Sequence, residues 1–259
     1  MRAPNTPVTS WKDKRVWVIG ASSGIGAAVA QRLLQEGARV VLSARRHDQL
    51  LVVAADHPQA AVIDFDVTDA AAWSPAMSRA IQFFGGGIDL VVMGAARYDP
   101  SHSWELELGQ VEKSFDLNVV SVYRGLSVLV PELVQAGAGG IALIGSVSAY
   151  TGLPRALIYG ATKAALNNLA QTLYFELAPK GLSVYLINPG FVQTPMTAVN
   201  DFKMPGLMTP EAAASAIIQG IEKGKFEINF PRGFATTLRV LSWMPDRIRF
   251  ALLHKITGM

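Results

Sequence analysis

Tyr159 and Lys163 lie four residues apart in Tyr-Gly-Ala-Thr-Lys-Ala-Ala-Leu, and Ser146 precedes Tyr159 by thirteen positions, at the end of the apolar run Ile-Ala-Leu-Ile-Gly. On a helix, positions i and i+4 share a face, which would set the Lys163 ammonium beside the Tyr159 phenol. A free tyrosine, with a pKa of about 10, is a poor acid–base group at neutral pH, and a neighbouring cation favours its phenolate. The three residues read as a proton donor and acceptor for a carbonyl/alcohol pair. By itself a Tyr-x-x-x-Lys pair is also the pattern of a solvated surface pair, so a second motif has to decide.

That motif is Gly20-Ala-Ser-Ser-Gly24-Ile-Gly26. It follows the apolar stretch Arg15–Ile19, which has the pattern of a buried parallel strand, and leads into Ala27–Glu36, which has the pattern of a helix. A strand, a glycine turn and a helix in that order let backbone N–H groups and a helix N-terminus approach a pyrophosphate. The second strand ends Ser43-Ala44-Arg45-Arg46, about 20 residues after the turn, where an NAD enzyme places an acid on the ribose hydroxyls. Ala44 takes that place, and Arg45 next to it suits a 2′-phosphate, so the reading is NADP(H) preferred over NAD(H). The competing reading makes Arg45 and Arg46 solvated charges that open the next helix.

The elements around these motifs alternate. Strands are predicted near 15–19, 39–43, 60–64, 88–93, 140–145, 182–188 and 226–230, and helices near 25–36, 46–55, 69–83, 108–135, 157–178 and 210–223. The expected fold is α/β: one doubly wound Rossmann domain over 1–259, a parallel seven-stranded sheet with helices on both faces. Half of the 259 residues are hydrophobic, enough for such a sheet. Residues 5–10 read as a loose arm.

The spacing G-x-x-x-G-x-G, with Ser146, Tyr159 and Lys163, closely resembles the short-chain dehydrogenase/reductase family. The resemblance runs from about Lys14 to about Thr209 and takes in Asp66-Val-Thr-Asp69, Asn118 in Asp-Leu-Asn-Val-Val, and Asn188-Pro-Gly-Phe-Val-Gln-Thr194. It implies Asn118, Ser146, Tyr159 and Lys163 as catalytic residues. Tyr159 would donate the proton, Ser146 orient the oxygen and Lys163 tune the phenol and contact the nicotinamide ribose. Asn118 would hold a kinked helix and a water that links Lys163 to solvent. The implied cofactor contacts are Gly20, Ser22, Ser23, Gly24, Ile25 and Gly26 of the turn, then Ser43, Arg45 and Arg46, Asp66 and Val67, Gly94 and Ala95, Pro189, Gly190, Val192 and Thr194, with Tyr159 and Lys163. The chain departs from the family at Met93-Gly94-Ala95-Ala96, where Asn-Asn-Ala-Gly is usual, and Met93 cannot reproduce the side-chain hydrogen bonds of the first Asn.

Several chemistries lack their residues. The four histidines, His47, His57, His102 and His254, have no metal-site spacing, so no metal is expected. There is no G-x-S-x-G elbow, and the absence of cysteine removes thiol and disulfide chemistry. No run of 18 apolar residues and no apolar leader in 1–11 leads to an expectation of neither a spanning helix nor export, and of a cytoplasmic location.

Substrate and partner signals are thinner. Residues 191–209 correspond to the family's mobile lid, and Met196, Phe202, Met204, Leu207 and Met208 make it apolar, which suits a lipophilic carbonyl or secondary alcohol; packing under a loop explains them as well. From Pro231 onward Arg232, Arg239, Arg247, Arg249 and Lys255 face one acid, Asp246, an excess larger than the +3 of the whole chain. Phe234, Leu238 and Leu241, then Ile248, Leu252 and Ile256, recur at helical spacing and describe two short amphipathic helices. This 231–259 tail reads either as a peripheral contact with an anionic membrane or as an element packed on the body or on a second subunit of a homodimer or homotetramer. No basic stripe crosses the main body, so nucleic acid is not an expected partner. A dinucleotide-binding redox sensor without turnover is the alternative function, against which the complete Ser146, Tyr159 and Lys163 set argues.

Overall fold

Apolar residues alternate along each central strand because successive side chains point to opposite faces of a sheet. In β1 (Arg15–Ile19), Val16 and Val18 enter one core and Trp17 and Ile19 the other. The same division runs through β2 (Arg39–Ser43), β4 (Leu90–Met93), β5 (Gly140–Ile144) and β6 (Ser183–Pro189). With β3 (Ala60–Val62) and β7 (Glu227–Phe230) they form one parallel sheet in the order β3-β2-β1-β4-β5-β6-β7. The computed structural model describes residues 3–257, without the side chains of 256 and 257.

One face is covered by α1 (Gly24–Gln35), α2 (His47–Ala54) and α7 (Pro210–Glu222). Helix α7 starts with Pro at its first position, and the Thr209 hydroxyl accepts a hydrogen bond from the Ala212 N–H at 3.2 Å, a favourable cap. The other face is covered by α3 (Trp73–Phe84), α5 (Ser121–Ala136) and α6 (Leu157–Leu177). The expected helix at 69–83 is a short tight turn, 70–72, followed by α3.

The expected helix at 108–135 is α4 (Leu108–Phe115) joined to α5 through a wide π turn, Asp116–Val120, that contains Asn118. The run 108–136 is the one helix among the described residues long and apolar enough, by length and composition, to cross a membrane. Its Val122, Leu126, Leu129 and Leu133 are buried in the second core.

Strand order reverses between β1 and β4, and a crevice opens there at the strand C-termini. Met93, which ends β4, is buried in the second core; a Cβ on Gly125 would lie 2.7 Å from its Cε. Apolar packing occupies this place at the sheet centre.

One expectation about the ends needs correction. Residues 5–10 are not a loose arm throughout. Asn5 is buried, its Nδ2 donates to the Val184 carbonyl at 2.7 Å, and its Oδ1 accepts from the Val184 N–H at 3.0 Å. In the tail, α8 (Arg232–Ser242) buries Ala235, Leu238 and Leu241 against Val147 and Leu253, which makes it part of the body. In α9 (Asp246–Thr257) Leu253 is buried, whereas Ile248 and Leu252 are exposed; Ile256 lies outside the described side chains. Arg249 pairs with Asp246, the acid already counted in the tail, and Arg239 pairs with Glu227 of β7, each at 2.6 Å, so Arg239 leaves the free basic excess.

Candidate active site

The glycine turn is built so that no side chain fills it. Gly20 has φ +85°, and a Cβ there would lie 2.6 Å from the Ala95 nitrogen; at Gly26 it would lie 2.2 Å from the Gly20 carbonyl oxygen. A Cβ on Gly24 would meet the Thr194 methyl at 2.9 Å. Ser23 opens α1 without a side-chain cap, which leaves the first N–H groups of that helix facing the cleft. Bare backbone and a helix N-terminus are what a pyrophosphate requires, so the residues fit a dinucleotide.

The cleft, about 270 Å³, brings together Gly20, Ser22, Ser23, Gly24, Ile25, Gly26, Arg45, Arg46, Val67, Gly94, Ala95, Ser146, Tyr159, Lys163, Pro189, Gly190, Val192 and Thr194. Ala44, which the strand-end reading sets at the ribose, also lines it, as do Leu117 and Ile144 from within quoted motifs and Phe65, to which no motif points.

Three expected site residues stand outside the cleft. Ser43 is fully buried, and its hydroxyl accepts a hydrogen bond from Trp17 Nε1 at 2.9 Å, while its carbonyl holds the Gly20 N–H at 2.7 Å. It supports the turn from behind. Asp66 holds its own loop, accepting from the Thr68 N–H at 2.9 Å and hydroxyl at 2.7 Å. Burial pushes its carboxyl up, but the Thr68 hydrogen bonds and Arg45 together bring it below the usual carboxylate range. Asn118 is buried, with its amide group engaged by the Arg97 backbone, at 2.8 and 2.9 Å, and by Thr162 Oγ1 at 3.1 Å.

The end of β2 carries two cations. Arg45 lies 3.8 Å from Asp66, a nearby acid that the strand-end reading did not anticipate. Arg46 donates to the hydroxyls of Ser22 and Ser23 at 3.0 and 3.1 Å and so reaches across to the glycine turn.

At the other end, Asn188 fixes the serine turn. Its Oδ1 accepts from the Ser146 N–H at 2.9 Å, and a Cβ on Gly145 would collide with that oxygen at 2.3 Å. The Ser146 hydroxyl accepts from the Ser148 hydroxyl at 3.0 Å. Lys163 is buried, with its Nζ donating to the Ile144 carbonyl at 2.8 Å and lying 5.5 Å from the centre of the Tyr159 ring.

The proximity that i and i+4 predict is therefore present, yet its expected effect on the phenol is reversed. Burial pushes Tyr159 up to about 12, with the Ser146 hydroxyl opposing it, and pushes Lys163 down to about 8. Withdrawal from water, to which Tyr98 adds, outweighs the Ser146 hydrogen bond. A phenol in this state stays protonated at neutral pH, as a proton donor must.

A larger cavity, about 560 Å³, adjoins the cleft and shares Ser146, Tyr159, Gly190, Met196 and Thr197 with it. Its walls are mostly apolar and include Leu153, Phe191, Phe202 and, from the tail, Phe234, Leu238 and Leu253. Tyr98, which no motif marked, packs edge-on against Tyr159 with centroids 5.1 Å apart. Of the five apolar lid residues, Met196 and Phe202 line the cavity, whereas Met208 packs on the first core and Leu207 is exposed. Met204 receives an Asn200 Nδ2 contact at 3.4 Å.

Comparison with known proteins agrees with this arrangement. The family model described as short chain dehydrogenase matches residues 14–204. An uncharacterized oxidoreductase of Myxococcus xanthus is 33% identical over 243 residues, covering 92% of this chain and 96% of that protein. A 3-ketoacyl-(acyl-carrier-protein) reductase from Brucella melitensis, solved with NADH, superposes with TM-score 0.78 at 25% identity, covering 86% of this chain and 99% of the other. An actinorhodin polyketide ketoreductase, solved with NADPH, superposes with TM-score 0.77 at 22% identity, covering 88% and 99%, a likeness of fold. On the match across residues 14–204 and the relative spanning nearly the whole chain, the protein belongs to the short-chain dehydrogenase/reductase family and is an oxidoreductase.

Proposed function

We propose that this chain is an NADP(H)-dependent oxidoreductase that interconverts a lipophilic carbonyl compound and its secondary alcohol. The observation that carries the proposal is the meeting of a dinucleotide cleft and an apolar cavity at Ser146 and Tyr159. A carbonyl entering from the cavity side reaches both hydroxyls where the cleft ends. A nicotinamide held in the cleft would supply the hydride for the carbonyl carbon, or accept it from the alcohol.

The protein's own residues manage geometry and the proton. Tyr159 gives its phenolic proton to the substrate oxygen, and Ser146 holds that oxygen with a second hydrogen bond. Lys163, bonded to the Ile144 carbonyl, holds a positive charge under the phenol and binds the nicotinamide ribose. Asn118 acts through the helix, locking the Arg97 backbone and Thr162 in the turn that precedes Lys163. Thr194 and the Val192 backbone hold the carboxamide, and the uncapped start of α1 holds the pyrophosphate.

Cofactor choice rests on the cationic rim at the end of β2. Arg45 and Arg46 offer charge-assisted hydrogen bonds to a 2′-phosphate, and Ser22 and Ser23 add hydroxyls beside them. Arg45→Ala is expected to weaken NADPH binding about 10–100-fold and NADH binding less than about threefold, by calorimetric titration. Equal losses for both cofactors would remove Arg45 from 2′-phosphate recognition. Turnover is tested by following NADPH absorbance with carbonyl compounds of graded chain length, and a rate that rises with chain length supports the lipophilic class.

The proposed setting is cytoplasmic, with a peripheral contact made by α9. Ile248, Phe250 and Leu252 are exposed there beside Arg247 and Lys255, the composition of a helix that lies on an anionic surface. The full chain is expected to co-sediment with anionic liposomes at low salt and to be released as salt rises, whereas a chain ending at Pro245 stays in solution. Sedimentation of both chains alike would exclude α9 as the contact. Self-association as a homodimer or homotetramer is supported by exposed Tyr123 on α5 and Phe175 on α6.

A further inference from the structure

The charged residues lining the larger cavity are unbalanced. Among the described residues they are Arg155, Asp201, Lys203 and Lys255. Asp201 is engaged by Arg155 Nη1. Lys203 and Lys255 have no ion-pair or hydrogen-bond partner among the described residues, and both are exposed, which puts them at the mouth. Two cations are left over at the opening of a mostly apolar chamber.

Arg155 forms a fixed wall beside them. Its Nε is buried without a hydrogen-bond partner, although an unmade buried bond is costly. Its backbone is left-handed, with φ 60°, a conformation that a non-glycine residue holds only where its surroundings impose it. The Ser101 N–H donates to the Arg155 carbonyl at 3.3 Å and helps to fix the segment. The three cations come from separate elements: Arg155 from the loop before α6, Lys203 from the 195–209 loop, and Lys255 from α9.

A neutral ligand would make no use of these charges, because an alkyl chain or ester offers the two ammonium groups little. An anionic head at the mouth would meet both lysines, while the rest of the ligand lay against Leu153, Phe202 and Phe234. We propose that the substrate is an amphiphile: an aliphatic carbonyl or alcohol compound whose distal end carries a carboxylate or phosphate recognised by Lys203 and Lys255. This deepens the proposed oxidoreductase reading and rests on Ser146 and Tyr159 as the reacting end.

Binding tests the proposal without requiring turnover. The full chain is titrated calorimetrically with dodecanoate, dodecyl phosphate and methyl dodecanoate at low salt. At least one of the two anions is expected to bind tenfold or more tightly than the ester, and the tighter one identifies the head group. In a K203Q/K255Q variant the preference falls to about twofold, and high salt reduces it in the wild-type chain. Equal binding of acid and ester, or a full preference retained in the double variant, overturns the proposal. Turnover is scored separately with a medium-chain keto acid and its methyl ester. Equal kcat/KM for the two overturns anion recognition alone, whereas no turnover of either, with the binding preference intact, overturns the catalytic reading alone.

Discussion

Replacing Tyr159 by phenylalanine is expected to lower carbonyl reduction about 10²–10⁴-fold, the range for removing a positioned general acid. The ring that remains keeps its edge-on contact with Tyr98, whose centroid is 5.1 Å away, so the cavity wall survives. NADPH affinity should change by less than about twofold, because the lost hydroxyl is one contact among many in the cleft. Steady-state kcat with a medium-chain ketone, measured beside a calorimetric Kd for NADPH, checks both halves. The upward displacement of the phenol to about 12 keeps it protonated throughout the neutral range, so loss of its proton does not limit reduction there. Full activity in the Phe variant would assign the proton to another group.

Lys163→Met should be nearly as damaging, and in a way that depends on pH. Burial lowers Lys163 from 10.5 to about 8, so its charge is lost near the upper end of the physiological range. In the wild-type chain NADPH affinity is expected to fall as pH rises through about 8, because above that pH the free protein has lost the Lys163 proton and binding must take one up. The Met variant should bind NADPH roughly 10–100-fold more weakly at pH 7 and lack that step, since a charged hydrogen bond contributes about 1.5–3 kcal/mol. Stability moves the opposite way. Between about 8 and 10.5 the unfolded chain binds the proton that the folded chain has released, so the wild type gains stability as pH rises across that window. Below it the buried ammonium is a standing cost, of which the variant is relieved. A higher midpoint for the variant in thermal unfolding at pH 7, with an advantage that shrinks by pH 10, is the expected signature. It is offset in part by the Ile144 carbonyl losing its donor, a change of about 1 kcal/mol.

The parts of the site that the sequence made legible are those whose requirement is local. A glycine with no room for a Cβ, such as Gly26 at 2.2 Å from the Gly20 oxygen, can be replaced by nothing else, so the turn shows in the sequence. The Tyr159 and Lys163 spacing follows from the helical repeat in the same way. Direction of burial is not local, and the i and i+4 rule foresaw a lowered phenol where desolvation raises it.

Ser43 was misassigned although the signal was present. Val41 and Ser43 share a face of β2, and Trp17 lies beside Val41 in register, so strand alternation turns Ser43 towards Trp17 and the second core. Tyr98, Arg155 and the tail side chains at the cavity left no such trace. Each reaches the site from a loop or a distant helix, and only tertiary packing brings them there. Asn5 was unreadable for the same reason, because its partners Val184 and Lys225 lie at the far end of the chain.

The most direct test of the account follows one atom. Purified protein is incubated with a lipophilic ketone and NADPH carrying deuterium at the transferable position of the nicotinamide, and the product alcohol is analysed by mass spectrometry. The account predicts deuterium on the carbinol carbon in the wild type and little or none formed by the Tyr159→Phe variant. Product without the label, or equal labelled product from both proteins, would contradict it.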